Sequence, residues 1–121
     1  MKILIADDSK AMRMIVVRTM RQAGFAGHDL VEAENGKEAL TMVGTESPDL
    51  ILSDWNMPEM TGIEFLKALR ASGSQIPFCF VTSEGSEDMR AQAAQAGALG
   101  LIAKPFTPEA FAEVLSAVVP S

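Results

Sequence analysis

Five short apolar runs, each followed by a segment of helical period, constrain this chain more than any other feature. The runs are Lys2–Ala6, Asp29–Ala33, Leu50–Ser53, Pro77–Thr82 and Leu99–Ala103. Three are almost continuously apolar, the pattern of strands covered on both faces. Between and after them, apolar residues recur at spacings of three and four. Met12, Ile15, Val16, Met20 and Ala23 mark the first such face, and Ala39, Leu40 and Val43 the second. Ile63, Leu66 and Leu69 mark the third, Met89, Ala93 and Ala96 the fourth, and Phe111, Val114, Leu115 and Val118 the fifth. Strand then helix, five times over, requires parallel strands joined by helical crossovers. The expected fold is α/β, a doubly wound five-stranded parallel sheet with five helices.

The punctuation agrees. Asn35, Thr61 and Ser86 stand where helices should start, and their side chains can accept a hydrogen bond from a free backbone N–H. Thr107-Pro108 puts a cap before a proline at the first helical position. Gly24 and Gly97 fall where helices should end. At 121 residues the chain suits one domain with one core, spanning 1–121 with no effector domain expected.

Composition excludes several classes of function. The net charge of -6 argues against a nucleic-acid partner gripped through phosphates. "MKILIADDS" is not a signal peptide, because its apolar run stops at acids. No apolar run approaches the ~20 residues of a membrane span. The single cysteine, Cys79, sits in "PFCFVT" and reads as a buried, inert thiol. A cytoplasmic protein is expected. His28 reads as a solvated loop residue, and Trp55 as half-exposed.

The strands end on chemistry. In an open parallel sheet, ligands bind beyond the carboxyl ends of the strands. The first strand ends at Asp7-Asp8, the third at Asp54, the fourth at Thr82-Ser83 and the fifth at Lys104-Pro105. Taken singly, each has a bland reading: helix-capping acids, a turn residue, a strand end, a solvated lysine. Taken together they put three carboxylates, hydroxyls and an amine on one rim. Two carboxylates ~4 Å apart repel by about 4 kcal/mol at an effective dielectric of ~20. Such a cluster calls for a cation, and all-oxygen ligation suits Mg²⁺, which keeps waters and shares its sites with phosphate. Thr82 and Lys104 then read as partners for phosphate oxygens. A carboxylate beside these groups is equipped to accept a phosphoryl group.

The motifs "LIADDS", "LILSDWNMPEMTG", "VTSEG" and "AKPF", in that order and spacing, resemble the receiver domain of two-component response regulators over essentially the whole chain. The resemblance, not the spacing, implies a flavodoxin-like strand order 2-1-3-4-5. It makes Asp54 the phosphoacceptor of a histidine kinase. Asp7, Asp8 and Asp54 become Mg²⁺ ligands, with the backbone carbonyl of Asn56. Thr82 becomes the switch hydroxyl, and Lys104 the amine that pairs with the phosphoryl group. The Lys104-Pro105 bond matches a usually cis peptide. Asn56 and Glu84 occupy positions that tune dephosphorylation. The output surface would be the fourth helix, fifth strand and fifth helix, about residues 86–119, binding a downstream protein. Chemotaxis is the pathway the match favours. One position departs from the family: the second switch residue is commonly aromatic, and here it is Leu101.

Three rival readings remain at this stage. An aspartate-nucleophile phosphohydrolase of the haloacid-dehalogenase type wants an Asp-x-Asp pattern, which neither "DDSKA" nor "DWNMP" supplies. A flavodoxin-like cofactor binder wants amides and hydroxyls after the first strand, where Asp7-Asp8 would repel a phosphate. A scaffold receiver would not be phosphorylated, yet every chemical position is intact.

Overall fold

A computed structural model describes residues 1–104 and 106–119, so the Lys104-Pro105 peptide lies outside the described residues. The elements run β1 (Lys2–Ala6), α1 (Lys10–Gln22), β2 (Asp29–Ala33), α2 (Gly36–Glu46), β3 (Leu50–Ser53), α3 (Gly62–Ala71), β4 (Phe78–Thr82), α4 (Glu87–Gln95), β5 (Gly100–Ala103) and α5 (Pro108–Leu115). The expected alternation holds throughout. Two strands start one residue later than expected, at Phe78 and Gly100. Pro77 has no N–H to give a ladder, although its carbonyl still accepts from the Ile51 N–H at 2.9 Å.

All strand pairs are parallel, in the order β2-β1-β3-β4-β5. The alternation alone demanded parallel pairing, and the order is that of the resemblance. Side chains alternate across the sheet. Ile3, Ile5, Leu50, Leu52, Cys79, Val81 and Ile102 face α1 and α5, and meet Val16, Met20, Phe111 and Leu115 there. Leu4, Ala6, Ile51, Phe78, Phe80 and Leu101 face the other way, onto Ala39, Phe65, Leu66, Leu69 and Ala93 of α2, α3 and α4. This accounts for the continuous apolar runs: β1, β3 and β4 have no solvent face.

The helices begin where the capping residues stand. Ser9, Asn35, Thr61, Ser86 and Thr107 each accept a backbone N–H three residues on. Thr61 and Glu64 form a reciprocal capping box at the head of α3. Gly24 and Gly97 follow α1 and α4 with φ of +95° and +94°, a conformation only glycine takes without strain. Among the described residues no helix is long and apolar enough to cross a membrane.

Candidate functional site

The chain leaves β1 toward β2 on one side and reaches β3 on the other. The crevice at that switch point opens above the carboxyl ends of β1 and β3. Ala6 is paired with Ser53, so Asp7 and Asp54, one residue further along each strand, emerge side by side. Both backbones are pinned. The Asp7 N–H donates to the Ala33 carbonyl at 3.0 Å, and the Asp54 N–H to the Ala6 carbonyl at 2.8 Å. Asp8 stands at the head of α1. Carboxylate oxygens of Asp7, Asp8 and Asp54 lie within 4.8 Å of one another.

Asp7 is buried, Asp54 half-buried and Asp8 exposed. Burial, with the nearby charges of Asp54 and Asp8, pushes the Asp7 carboxyl up to about 6, although the Ser9 N–H donates to it at 2.8 Å. Burial also raises Asp54. Opposing that rise are the Trp55 N–H, which donates to its Oδ1 at 2.7 Å, the Thr82 hydroxyl and the Asn56 N–H. Both acids of this crevice are held above their ordinary range, chiefly by burial and further by the charge of neighbouring carboxylates.

The remaining predicted residues gather around this cluster to different degrees. Thr82 is buried at the end of β4, and its hydroxyl faces Asp54 while accepting from the Glu84 N–H at 3.3 Å. The Lys104 N–H donates to the Thr82 carbonyl at 3.2 Å, which sets the residue on the same rim. Its ammonium is exposed and forms no ion pair with the triad among the described residues. Asn56 and Glu84 are exposed in the loops beside Asp54 and Thr82. Leu101 is 5 % exposed and packs in the layer with Phe78 and Phe80, so the apolar side chain already points inward. Trp55 is half-buried as expected, its ring tilted against Phe80 at 4.7 Å between centroids.

One residue of the site's support was not predicted. Arg13 lies in α1 between Met12 and exposed Met14, yet is only 7 % exposed. Its Nη1 donates to the Asp7 carbonyl at 2.7 Å and its Nε to Glu32 of β2 at 2.7 Å. The guanidinium thus ties β1, β2 and α1 together directly behind Asp7. Cys79 is buried with its thiol pushed up to about 12, which leaves it inert. His28 is half-buried rather than freely solvated, its Nδ1 3.1 Å from the N-terminal amine.

The donor set is all oxygen, and no lysine or arginine neutralises it among the described residues. Oxygens this close can ring one small hard cation with slight side-chain adjustment, leaving other positions to water. Nitrogen or sulfur ligands, which softer metals favour, are absent from the triad.

The raised acids imply a pH dependence. A proton binds Asp7 more tightly in the folded state than in the unfolded chain, where its pKa is near 3.8. Its ionisation therefore costs stability above about pH 6, and the cost is relieved as pH falls toward 4. Glu64 acts oppositely, since its lowered pKa makes its contribution fade only below about 4.5. Metal-free protein should melt at a higher temperature at pH 5 than at pH 7.5, and Asp7→Asn should flatten that difference. A wild-type melting temperature no higher at pH 5 than at pH 7.5 would contradict the raised Asp7 carboxyl.

An acidic triad at the switch point of a 2-1-3-4-5 sheet, with a threonine and a lysine on the same rim, defines a phosphoacceptor module. The chain belongs to the response regulator receiver domain family, which matches residues 3–116. Among its relatives it is similar to the chemotaxis protein CheY of Pseudomonas aeruginosa, 41 % identical over 120 residues, which cover 98 % of this chain and 95 % of that one. It is 38 % identical over 122 residues to the chemotaxis protein CheY1 of Helicobacter pylori, covering 98 % and 97 %. The structure of Vibrio cholerae CheY4 superimposes with a TM-score of 0.83 at 37 % identity over 98 % of each chain. That of the Francisella response regulator 1452 receiver domain does so at 0.83 and 28 % identity, covering 97 % and 94 %. Family membership displaces the phosphohydrolase and cofactor-binder readings.

Proposed function

We propose that the chain is a stand-alone cytoplasmic response regulator in which Asp54 accepts a phosphoryl group from a histidine kinase, in chemotaxis signalling. The observation that carries this is the triad itself: Asp54 is aimed by a pinned strand end into a crevice it shares with Asp7 and Asp8. An Asp54 oxygen bonds to phosphorus as the bond from phosphorus to the kinase's imidazole nitrogen breaks, and the imidazole leaves with the electron pair. Asp7, Asp8 and the Asn56 backbone carbonyl would hold Mg²⁺ with Asp54. When bound, Mg²⁺ neutralises charge on the carboxylates and on the phosphoryl oxygens. Lys104, unpaired with the triad, is available to swing onto a phosphoryl oxygen, and Thr82 donates to another. Asn56 and Glu84 flank the path of a hydrolytic water and set the phosphoryl lifetime. The face formed by α4, β5 and α5 passes the state on to a downstream protein. Leu101, already buried beneath that face, couples Thr82 to it through packing rather than through an aromatic ring.

The test is transfer from an autophosphorylated kinase or acetyl phosphate. Label should reach the chain with Mg²⁺ and disappear when the metal is chelated. Equal labelling in excess chelator would overturn the role of the triad, and no labelling under any condition would favour the scaffold reading.

A further inference from the structure

Asp7 and Asp8 are neighbours in the chain, yet different devices hold them. Asp7 follows β1, and its N–H, carboxylate and carbonyl each have a partner. These are the Ala33 carbonyl at 3.0 Å, the Ser9 N–H at 2.8 Å and the Arg13 Nη1 at 2.7 Å. Asp8 belongs to neither β1 nor α1 and is exposed. Its placement is inherited from the peptide that joins it to Asp7. The carbonyl of that peptide is the one Arg13 grips. A peptide is planar, so its two ends cannot turn independently. The guanidinium therefore fixes the plane from which both acids project.

Helix geometry and burial give Arg13 this reach. It stands near the start of α1, where its own N–H donates to the Ser9 carbonyl at 3.0 Å. Side chains on a helix lean toward its N-terminus, so a residue here covers the chain that precedes the cap. The side chain is buried, and its Nε donates to Glu32 at 2.7 Å. Glu32 supplies the charge that a buried guanidinium needs and holds the second edge of the fork. It comes from β2, where the register with β1 sets it opposite Ile5. We propose that Arg13 is a positioning residue for the metal site. It holds the Asp7-Asp8 peptide so that the two carboxylates converge on one cation with Asp54. Asp54 is held separately, through its N–H to the Ala6 carbonyl at 2.8 Å. Loss of Arg13 thus loosens the acid pair and leaves the phosphoacceptor aimed. The inference rests on the reading of the triad as a Mg²⁺ site, and names the residue that sets its geometry.

Charge and position predict opposite results, which makes the role testable. Removing a cation from behind three carboxylates should by charge alone tighten Mg²⁺ binding. Removing the clamp should weaken it. Mg²⁺ is titrated into the full chain of wild type and Arg13→Met, at a temperature well below both melts, with Trp55 fluorescence and backbone amide shifts as readouts. Arg13→Met should bind Mg²⁺ roughly tenfold or more weakly, the range expected when a partner that orients metal ligands is lost. The Asp8 amide should shift even without metal. With acetyl phosphate, labelling of Arg13→Met should need correspondingly more Mg²⁺ and recover most of its rate once the metal saturates. A residue that only held the fold together would lower the melting temperature and leave the Mg²⁺ affinity of the folded protein unchanged. Arg13→Lys keeps the charge but not the planar fork, and should weaken Mg²⁺ by a smaller factor. It supplies the same readout if Arg13→Met does not fold. Binding as tight as wild type, or tighter, in either folded variant would overturn the positioning role and leave the metal site standing. Absence of Mg²⁺ binding by wild type itself would overturn both.

Discussion

Gly62→Ala should lower the melting temperature by more than about ten degrees or prevent folding, a loss of about 3 kcal/mol or more. Gly62 opens α3, and its N–H donates to the Trp55 carbonyl at 2.8 Å. A Cβ built there would stand 2.1 Å from the Asp54 carbonyl oxygen and 2.9 Å from a Phe80 ring carbon. The first obstacle is backbone, and it cannot retreat, because the Asp54 N–H is bonded to Ala6 at 2.8 Å. The requirement is space, not conformational freedom: helix α3 packs so closely on the backbone at Asp54 that only hydrogen fits. Gly44 is the control. It lies exposed in α2 with nothing within 4 Å of an added Cβ, so Gly44→Ala should be neutral or stabilising by about 0.5–1 kcal/mol. Circular dichroism melts of the two variants decide the matter. A Gly62→Ala melt that overlays wild type would show that the packing of α3 against the site is not what holds Asp54 in place.

Asp54→Asn should act in the opposite sense on the metal-free protein. Removing one of three clustered negative charges relieves repulsion from Asp7 and Asp8, and the amide can still accept the Trp55 N–H. A repulsion of about 4 kcal/mol for a pair at ~4 Å falls to about 1–2 kcal/mol where, as here, solvent reaches part of the cluster. The variant should therefore melt several degrees higher than wild type without metal. Wild type should gain about 2.7 kcal/mol at a hundredfold excess of Mg²⁺ over its dissociation constant, roughly ten degrees for a domain of this size. The variant, with one ligand weakened, should lose most of that gain. Trp55, the single tryptophan, packs on Phe80 beside Asp54, and its fluorescence should follow the same titration. Melting temperatures indifferent to both the metal and the substitution would remove the electrostatic account.

How much of this could be read beforehand depended on whether the signal was local. Fully buried strands must be apolar, so carboxylates at their ends stood out, and the acids, Thr82 and Lys104 were found on one edge. Caps are local chemistry, and Asn35, Thr61, Ser86 and Thr107 all serve as expected. At the head of α1 the acids drew attention away from Ser9, which is the cap, while Asp7 accepts its N–H from outside the helix. Arg13 was invisible for a different reason. Its burial depends on β2 lying beside β1, which brings Glu32 and the Asp7 carbonyl within reach, and no spacing within α1 records that. On α3 the three-residue spacing favoured Ile63, which is half-buried, over Phe65, which is fully buried with its ring edge-on to Phe78 at 5.4 Å. The strand order entered through the resemblance alone, since alternation fixes direction but not neighbours. Leu101 stands where the family commonly has an aromatic residue. The structure already holds it inward, with Thr82 facing Asp54, so its packing supports the arrangement that phosphorylation would favour.

The most direct test of the central claim is the position of the phosphoryl group. The full chain is incubated with acetyl phosphate and Mg²⁺, and intact mass and fragment masses are recorded for wild type and Asp54→Asn. One added phosphoryl group on the peptide containing Asp54, absent from the variant, is the result expected. An equal addition to the variant, or a phosphoryl group on another residue, would contradict the assignment of this crevice as the phosphoacceptor site.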